Sequence, residues 1–149
     1  LQNAKNINEA ENFEKKIWDN WTKHPSSKYL TNKLKNATYS MNHQQYQIAL
    51  KLLTDIINED PKWAEAWNKR ATLLFLMDNY KESLGDIEQV LKIEPRHFGA
   101  LSGRAQIYLS YKQYEKAIDD LQRAKTIYPL IKNGKSIGLI KKIIKDLQI

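Results

Sequence analysis

Residues 98–129 read FGALSGRAQIYLSYKQYEKAIDDLQRAKTIYP, and residues 64–95 read AEAWNKRATLLFLMDNYKESLGDIEQVLKIEP. Laid over one another at an offset of 34, they match at Ala66/Ala100, Arg70/Arg104, Ala71/Ala105, Tyr80/Tyr114, Asp86/Asp120, Ile93/Ile127 and Pro95/Pro129. Trp67/Leu101, Ser83/Ala117, Leu84/Ile118, Ile87/Leu121 and Val90/Ala124 are similar pairs between them. A further step back gives a weaker copy at 30–61, through Ala37, Tyr46, Ala49, Leu53, Ile56 and Pro61. A fixed period of this length marks an array of supersecondary units, each too small to bury its own apolar face.

Within each copy, apolar residues recur at helical spacing. A short polar turn such as Asp78-Asn79 or Lys112-Gln113 follows, then a second amphipathic run. Ala71, Ser83, Ala105 and Ala117 are small enough to let two helices approach closely. Pro61, Pro95 and Pro129 fall at or just before the start of the next unit, where a missing N–H costs little. The period and the order of small, aromatic and proline positions resemble the tetratricopeptide repeat over about residues 28–131. The phrases AEAWNKRAT and EPRHFGALSG, with IWDNW upstream, are similar to a group of bacterial tetratricopeptide proteins of unassigned function. The resemblance implies an all-α, right-handed α-solenoid of three helix hairpins, at 28–61, 62–95 and 96–131. It also implies that the protein is not an enzyme. A single amphipathic helix is expected in residues 1–27, through Ala10, Phe13, Ile17 and Trp21, with Asn8 and Glu11 as a capping box. Another is expected in 132–149, through Ile137, Ile140, Ile144 and Leu147, capping the stack. Eight helices and no sheet are therefore expected.

With 42% hydrophobic residues in 149, the chain can bury a core. It has no cysteine, which removes disulfides, thiol nucleophiles and thiolate metal sites and fits either redox compartment. No apolar run approaches the roughly 20 residues of a membrane span. The chain starts at Leu1, so removal of something upstream is expected, and the compartment, cytoplasmic or exported, stays open. The net charge of +7 is uneven: residues 132–149 alone carry five Lys and one Asp.

Only four of the 24 basic residues are arginines. Arg70 and Arg104 stand where the repeat usually has an apolar residue, and each is followed 16 positions later by an acid, Asp86 or Asp120. The first copy has Asn36 and Leu52 at those places, so both partners are lost together. That joint loss points to structural ion pairs across each hairpin, with the planar guanidinium meeting the carboxylate through two hydrogen bonds.

Sites for chemistry are scarce. His24, His43 and His97 stand in no metal-binding spacing. Gly134-Lys135-Ser136 lacks the upstream Gly and strand of a phosphate loop, and the acidic pairs Glu59-Asp60 and Asp119-Asp120 read as solvated or structural. No catalytic residue, metal or cofactor is expected. Trp21 and Trp67 read as core residues, Trp18 and Trp63 as candidates for partial exposure.

In the architecture implied by the resemblance, the first helix of each unit lines a concave surface. Its residues would be Thr31, Leu34, Lys35, Thr38 and Met41, then Glu65, Asn68, Lys69, Thr72, Phe75 and Leu76, then Gly99, Ser102, Gly103, Gln106, Leu109 and Ser110. Asn68 would offer a donor and an acceptor to a peptide backbone. Gly99, Ser102 and Gly103 would leave a hollow beside apolar Phe75, Leu76 and Leu109. The expected function is a protein-interaction scaffold that takes a peptide or helix in this groove. Members of the family that grip a C-terminal carboxylate use Lys, Asn and Arg at places held here by Leu34, Thr38, Lys69, Gly99 and Gly103, which argues against such a tail. The alternative is that the groove is filled internally, by the chain's own N-terminal helix or by its tail helix. A different class of function is a basic adaptor that meets a membrane or nucleic acid through the Lys-rich C-terminal residues. Against nucleic acid, those lysines are not interleaved with aromatics. No small-molecule substrate is expected, and homo-oligomerisation through exposed helix faces is compatible with either function.

Overall fold

In a computed structural model, residues 4–129 and 145 are described. They form seven helices and no strand: α1 (Ile7–Trp21), α2 (Lys28–Asn42), α3 (Tyr46–Glu59), α4 (Ala64–Leu76), α5 (Tyr80–Ile93), α6 (Phe98–Ser110) and α7 (Tyr114–Ile127). The expected eighth helix, through Ile137, Ile140, Ile144 and Leu147, falls on residues outside those described, as does the expected basic surface apart from Lys145. Of the described residues, 15–95 form one compact unit and 4–14 with 96–129 form another.

The turns inside the hairpins explain how a 34-residue period becomes a fold. After α2, α4 and α6 the chain passes through a left-handed residue, Gln44 (φ 58°), Asp78 (φ 60°) or Lys112 (φ 57°). The next amide reaches back five residues, Gln45 to Ser40, Asn79 to Leu74 and Gln113 to Tyr108, each at 2.8 Å. This arrangement satisfies carbonyls at the helix end and reverses the chain. None of the three is glycine, so packing of the following helix overrides the steric cost of the left-handed region.

In the unit of residues 15–95, α2 packs on α3, α3 on α4, and α4 on α5. One apolar cluster runs through it, including Leu30, Leu34, Ala37, Leu53, Ile56, Trp63, Ala66 and Leu73. The small residues do what close approach demands: Ala71 and Ser83 are buried, and the Ser83 hydroxyl donates to the Ala71 carbonyl at 2.7 Å. In the other unit α6 packs on α7 around Ala105, Ala117 and Leu121. Gly85 stands inside α5 with nothing within 4 Å of where a Cβ would lie. Gly85→Ala is therefore expected to stabilise the protein by about 0.5–1 kcal/mol, by reducing the freedom of the unfolded chain. A thermal scan showing no rise in the midpoint would contradict this.

The cap of α1 lies two residues earlier than Asn8 and Glu11 suggest. Asn6 Oδ1 accepts from the Glu9 amide at 2.9 Å, and Glu9 Oε2 accepts from the Lys5 amide at 2.7 Å. Asn6 and Glu9 have the same spacing as Asn8 and Glu11, and using the outer pair lengthens the helix.

Candidate functional site

The Arg and Asp positions come together within each hairpin. Arg70 Nε donates to Asp86 Oδ2 at 2.7 Å and Nη2 to Oδ1 at 2.9 Å. Arg104 makes the same two bonds to Asp120, both at 2.7 Å. Arg70 Nη1 also reaches Thr54 Oγ1 in α3 at 3.3 Å, so one guanidinium links three helices. Both acids are buried, and the guanidinium groups keep a minority of their surface in water. Arg70 lies over the Trp67 ring, whose N–H donates to the Pro61 carbonyl at 2.8 Å.

The residues assigned to a binding face from sequence are placed unevenly. On α4, Lys69 is half-buried, Thr72 and Leu76 are exposed, and Phe75 is half-buried against Tyr80. Asn68 departs from expectation. It is 8% exposed, and its amide donates to the buried Glu65 carboxylate at 3.3 Å, so it is turned inward and not toward a peptide. Glu65, Leu34 and Met41, expected on the same face, are also buried. A residue three positions along a helix leans toward its predecessor, so Asn68 meets Glu65 before it meets solvent. On α6, Gly99, Ser102, Gly103 and Leu109 are half-buried, and Gln106 and Ser110 are exposed. Leu109 packs against the Ala105–Leu121 cluster.

A hollow of about 240 Å³ opens on the side that α2 and α4 share. It is lined by Leu34, Lys35 and Thr38 of α2, Lys69 of α4, and Thr22 just after α1. Lys69 lies 4.0 Å from Glu65. The exposed lining is mostly apolar, with the Lys35 and Lys69 ammonium groups beside it, and the Thr22 and Thr38 hydroxyls already donate to the Trp18 and Leu34 carbonyls.

Beside it lies a cluster that no local spacing announces. His24 Nε2 meets Asp60 Oδ2 at 2.6 Å, across 36 positions. Its Nδ1 accepts from the amides of Ser26 (3.1 Å) and Ser27 (2.9 Å), so Nε2 carries the proton and donates to Asp60. The His24 amide donates to Thr31 Oγ1 at 2.8 Å, and the imidazole packs edge-on against Trp63. Trp63, expected to be partly exposed, is buried, and its N–H donates to the Trp21 carbonyl at 2.9 Å. The hydrogen bond from His24 holds the Asp60 carboxyl below its ordinary range, against the opposing effect of burial and with help from the Lys62 amide. The stabilisation is thus present above the unfolded carboxyl value of about 4 and is lost as pH falls below it. Asp60→Asn should cost about 1 kcal/mol at pH 6, a difference that shrinks below about pH 4. Urea midpoints of both proteins measured from pH 3 to 7 test this, and a gap independent of pH would refute it.

In the other unit, His97 is fully buried and its Nδ1 accepts from the Ala100 amide at 3.1 Å, capping α6. Tyr128 is buried edge-on against Phe98. Burial, and then its hydrogen bond to Glu14, push its hydroxyl up to about 12. Among the described residues no group of three His, Asp or Glu is placed to hold a metal ion, and no helix is long and apolar enough to cross a membrane.

The first TPR of Spaghetti (RPAP3), solved with the HSP90 peptide SRMEEVD, superposes with a TM-score of 0.75 over 82% of this chain and 98% of that one, at 16% identity. The fold is that of tetratricopeptide repeats. The TPR domain of Sgt2 from Aspergillus fumigatus agrees, with a TM-score of 0.75 over 82% of this chain and 83% of that one, at 14% identity. So does the TPR2B domain of yeast Sti1 in its complex with pHsp70, with a TM-score of 0.66 over 78% of this chain and 93% of that one, at 22% identity. In sequence, 43 residues are 54% identical to a TPR repeat-containing protein of Rhizobium etli. That match covers 29% of this chain and spans only 21% of the relative's length. No family model matches the chain. Within this fold the Arg–Asp pairs act as internal fasteners of two hairpins.

Proposed function

We propose that the protein is a non-catalytic interaction scaffold whose first helices receive a peptide or a helix. The observation that carries this reading is the hollow lined by Thr22, Leu34, Lys35, Thr38 and Lys69, formed on first helices of a tetratricopeptide fold. Proteins of the same fold that hold HSP90 and Hsp70 peptides support it. Lys69, Thr72, Phe75 and Leu76 are the proposed contacts on α4. Gly99, Ser102, Gly103, Gln106 and Leu109 are those proposed on α6. Asn68 stays in the proposed set only as a support, through Glu65, for the first turn of α4.

Affinity capture from native extract, with wild type beside Lys69→Glu and Gly103→Trp, tests the reading. Partners lost from a variant whose melting is unchanged support it. Capture of the same partners by all three proteins would overturn it. A salt series separates the kinds of contact, because an electrostatic partner leaves steeply as salt rises and an apolar one does not.

A further inference from the structure

His24 ties together pieces of chain that no helix joins. Its side chain is only 6% exposed. Nε2 donates to Asp60 on the turn between α3 and α4, and the ring stands edge-on to Trp63 of the same turn. Nδ1 accepts from the Ser26 and Ser27 amides, and Ser27 in turn caps α2 by accepting from the Leu30 amide. The His24 amide donates to Thr31 inside α2. Thr22, two residues earlier, forms a wall of the hollow on α2 and α4. Only a neutral imidazole with a bare Nδ1 can make all of these bonds. A second proton turns Nδ1 from acceptor to donor and sets it against two amide N–H groups. His43 is the contrast. It is exposed, stacks on Tyr39, and its Nδ1 donates to the Tyr39 carbonyl at 2.8 Å, so a second proton there breaks no bond.

We propose that His24 is a proton-operated clasp: neutral, it ties the start of α2 to the α3–α4 turn; charged, it stays on Asp60 and releases the Ser26 and Ser27 amides. What breaks is decided by the charges around the ring. The Asp60 carboxyl, held below its ordinary range, is still ionised when an imidazole gains its second proton, in the region of about pH 5–8. Its bond to the ring becomes charge-assisted and strengthens, while the two amide bonds cannot survive. The other charged groups nearby are Lys62, which acts on Asp60 through its amide and its charge, Lys23 beside His24 in the chain, and the Lys33–Glu59 pair between α2 and α3, closed at 2.8 Å. The lysines offer no acceptor to a charged Nδ1, and Glu59 is taken by Lys33. The clasp is therefore closed at the upper end of that range and opens as pH falls. Once the link is untied from α2, the Thr22 wall of the hollow shifts with it, so acid acts on the binding face through this clasp. The clasp itself stands on the geometry of His24; its consequence for binding rests on the reading of the hollow as a receiving site.

Nuclear magnetic resonance of the intact protein between about pH 8 and about pH 5 tests this without a partner, so failure of the scaffold reading would leave the result interpretable. At the upper end the His24 ring should carry its proton on Nε2. As the ring gains its second proton, the Ser26 and Ser27 amide protons should move upfield with the same midpoint. Their protection against exchange, corrected for the intrinsic rate, should fall about 10-fold, and the Thr22 methyl should shift with them. The charging of His43 should change the protection of no amide. A neutral ring with its proton on Nδ1, or Ser26 and Ser27 protection that survives the charging of the ring, overturns the clasp. A Thr22 methyl that stays still overturns its connection to the hollow. In His24→Asn, whose Oδ1 can accept the same amides but takes no proton, the pH dependence at Ser26 and Ser27 should vanish. The same fall in the variant would assign it to another group and overturn the proposal. Should His24→Asn fail to fold, the titration of wild type decides alone.

Discussion

Asp120→Ala is expected to lower the free energy of unfolding by about 3 kcal/mol, and Asp86→Ala by nearly as much. Asp120 is 2% exposed at its side chain and accepts two charge-assisted hydrogen bonds from Arg104, with Arg123 at 3.7 Å. Removing the carboxylate leaves a guanidinium in a mostly dry place, and this uncompensated charge, more than the lost attraction, sets the size of the effect. Arg104 keeps 18% of its side-chain surface in water, which places the loss at the lower end of the range for buried pairs. Asp86→Ala should cost slightly less because Arg70 retains Thr54. Replacing both members together, as in Arg104→Met with Asp120→Leu, should recover most of the loss, since no charge is then stranded. Urea midpoints at constant m-value give these numbers. If both single variants lost less than about 1 kcal/mol, the pairs would be ordinary surface ion pairs and the two arginines would need another explanation.

The pairs were legible because the sequence holds its own control. Two copies carry Arg and Asp 16 apart and the first copy carries neither, so the positions change together. The hairpin turns were legible as polar dipeptides but not as left-handed residues. Gln44 and Lys112 give no chemical hint of φ near 60°, and the fold imposes it by packing the next helix. The side chains of α4 were harder to read. A helical wheel puts Asn68 and Lys69 on one face, yet Asn68 turns back to Glu65, and one hydrogen bond decides the matter. Least legible was the His24–Asp60–Trp63 cluster. Its members lie on a linker and an inter-repeat turn 36 positions apart, where no periodicity operates. Trp63, which the sequence alone leaves as a candidate for partial exposure, therefore turns out buried, with a carbonyl partner for its N–H.

Leu53→Ala should cost about 3–4 kcal/mol, the largest loss from any single truncation of the first hairpin. That hairpin lacks the ion pair: Asn36 is exposed and Leu52 half-buried at the positions that hold Arg and Asp elsewhere. Its two helices are joined instead through the apolar cluster, where Leu53 is fully buried among residues that include Leu34, Ala37, Ile56, Trp63, Ala66 and Leu73. Truncation removes the transfer energy of three carbons and leaves a cavity. α3 cannot slide in to fill it, because α2 and α4 pack against it and Trp63 is held by its bond to Trp21. Leu53→Met, which keeps the volume, should cost less than about 1.5 kcal/mol. The contrast between the two variants isolates the cavity from any effect of backbone propensity, since Ala is the better helix former and would on that account stabilise α3. Equal losses for Ala and Met would mean that shape at this position, not volume, limits the fold. A loss under about 1 kcal/mol for Ala would mean that the cluster does not hold the first hairpin together.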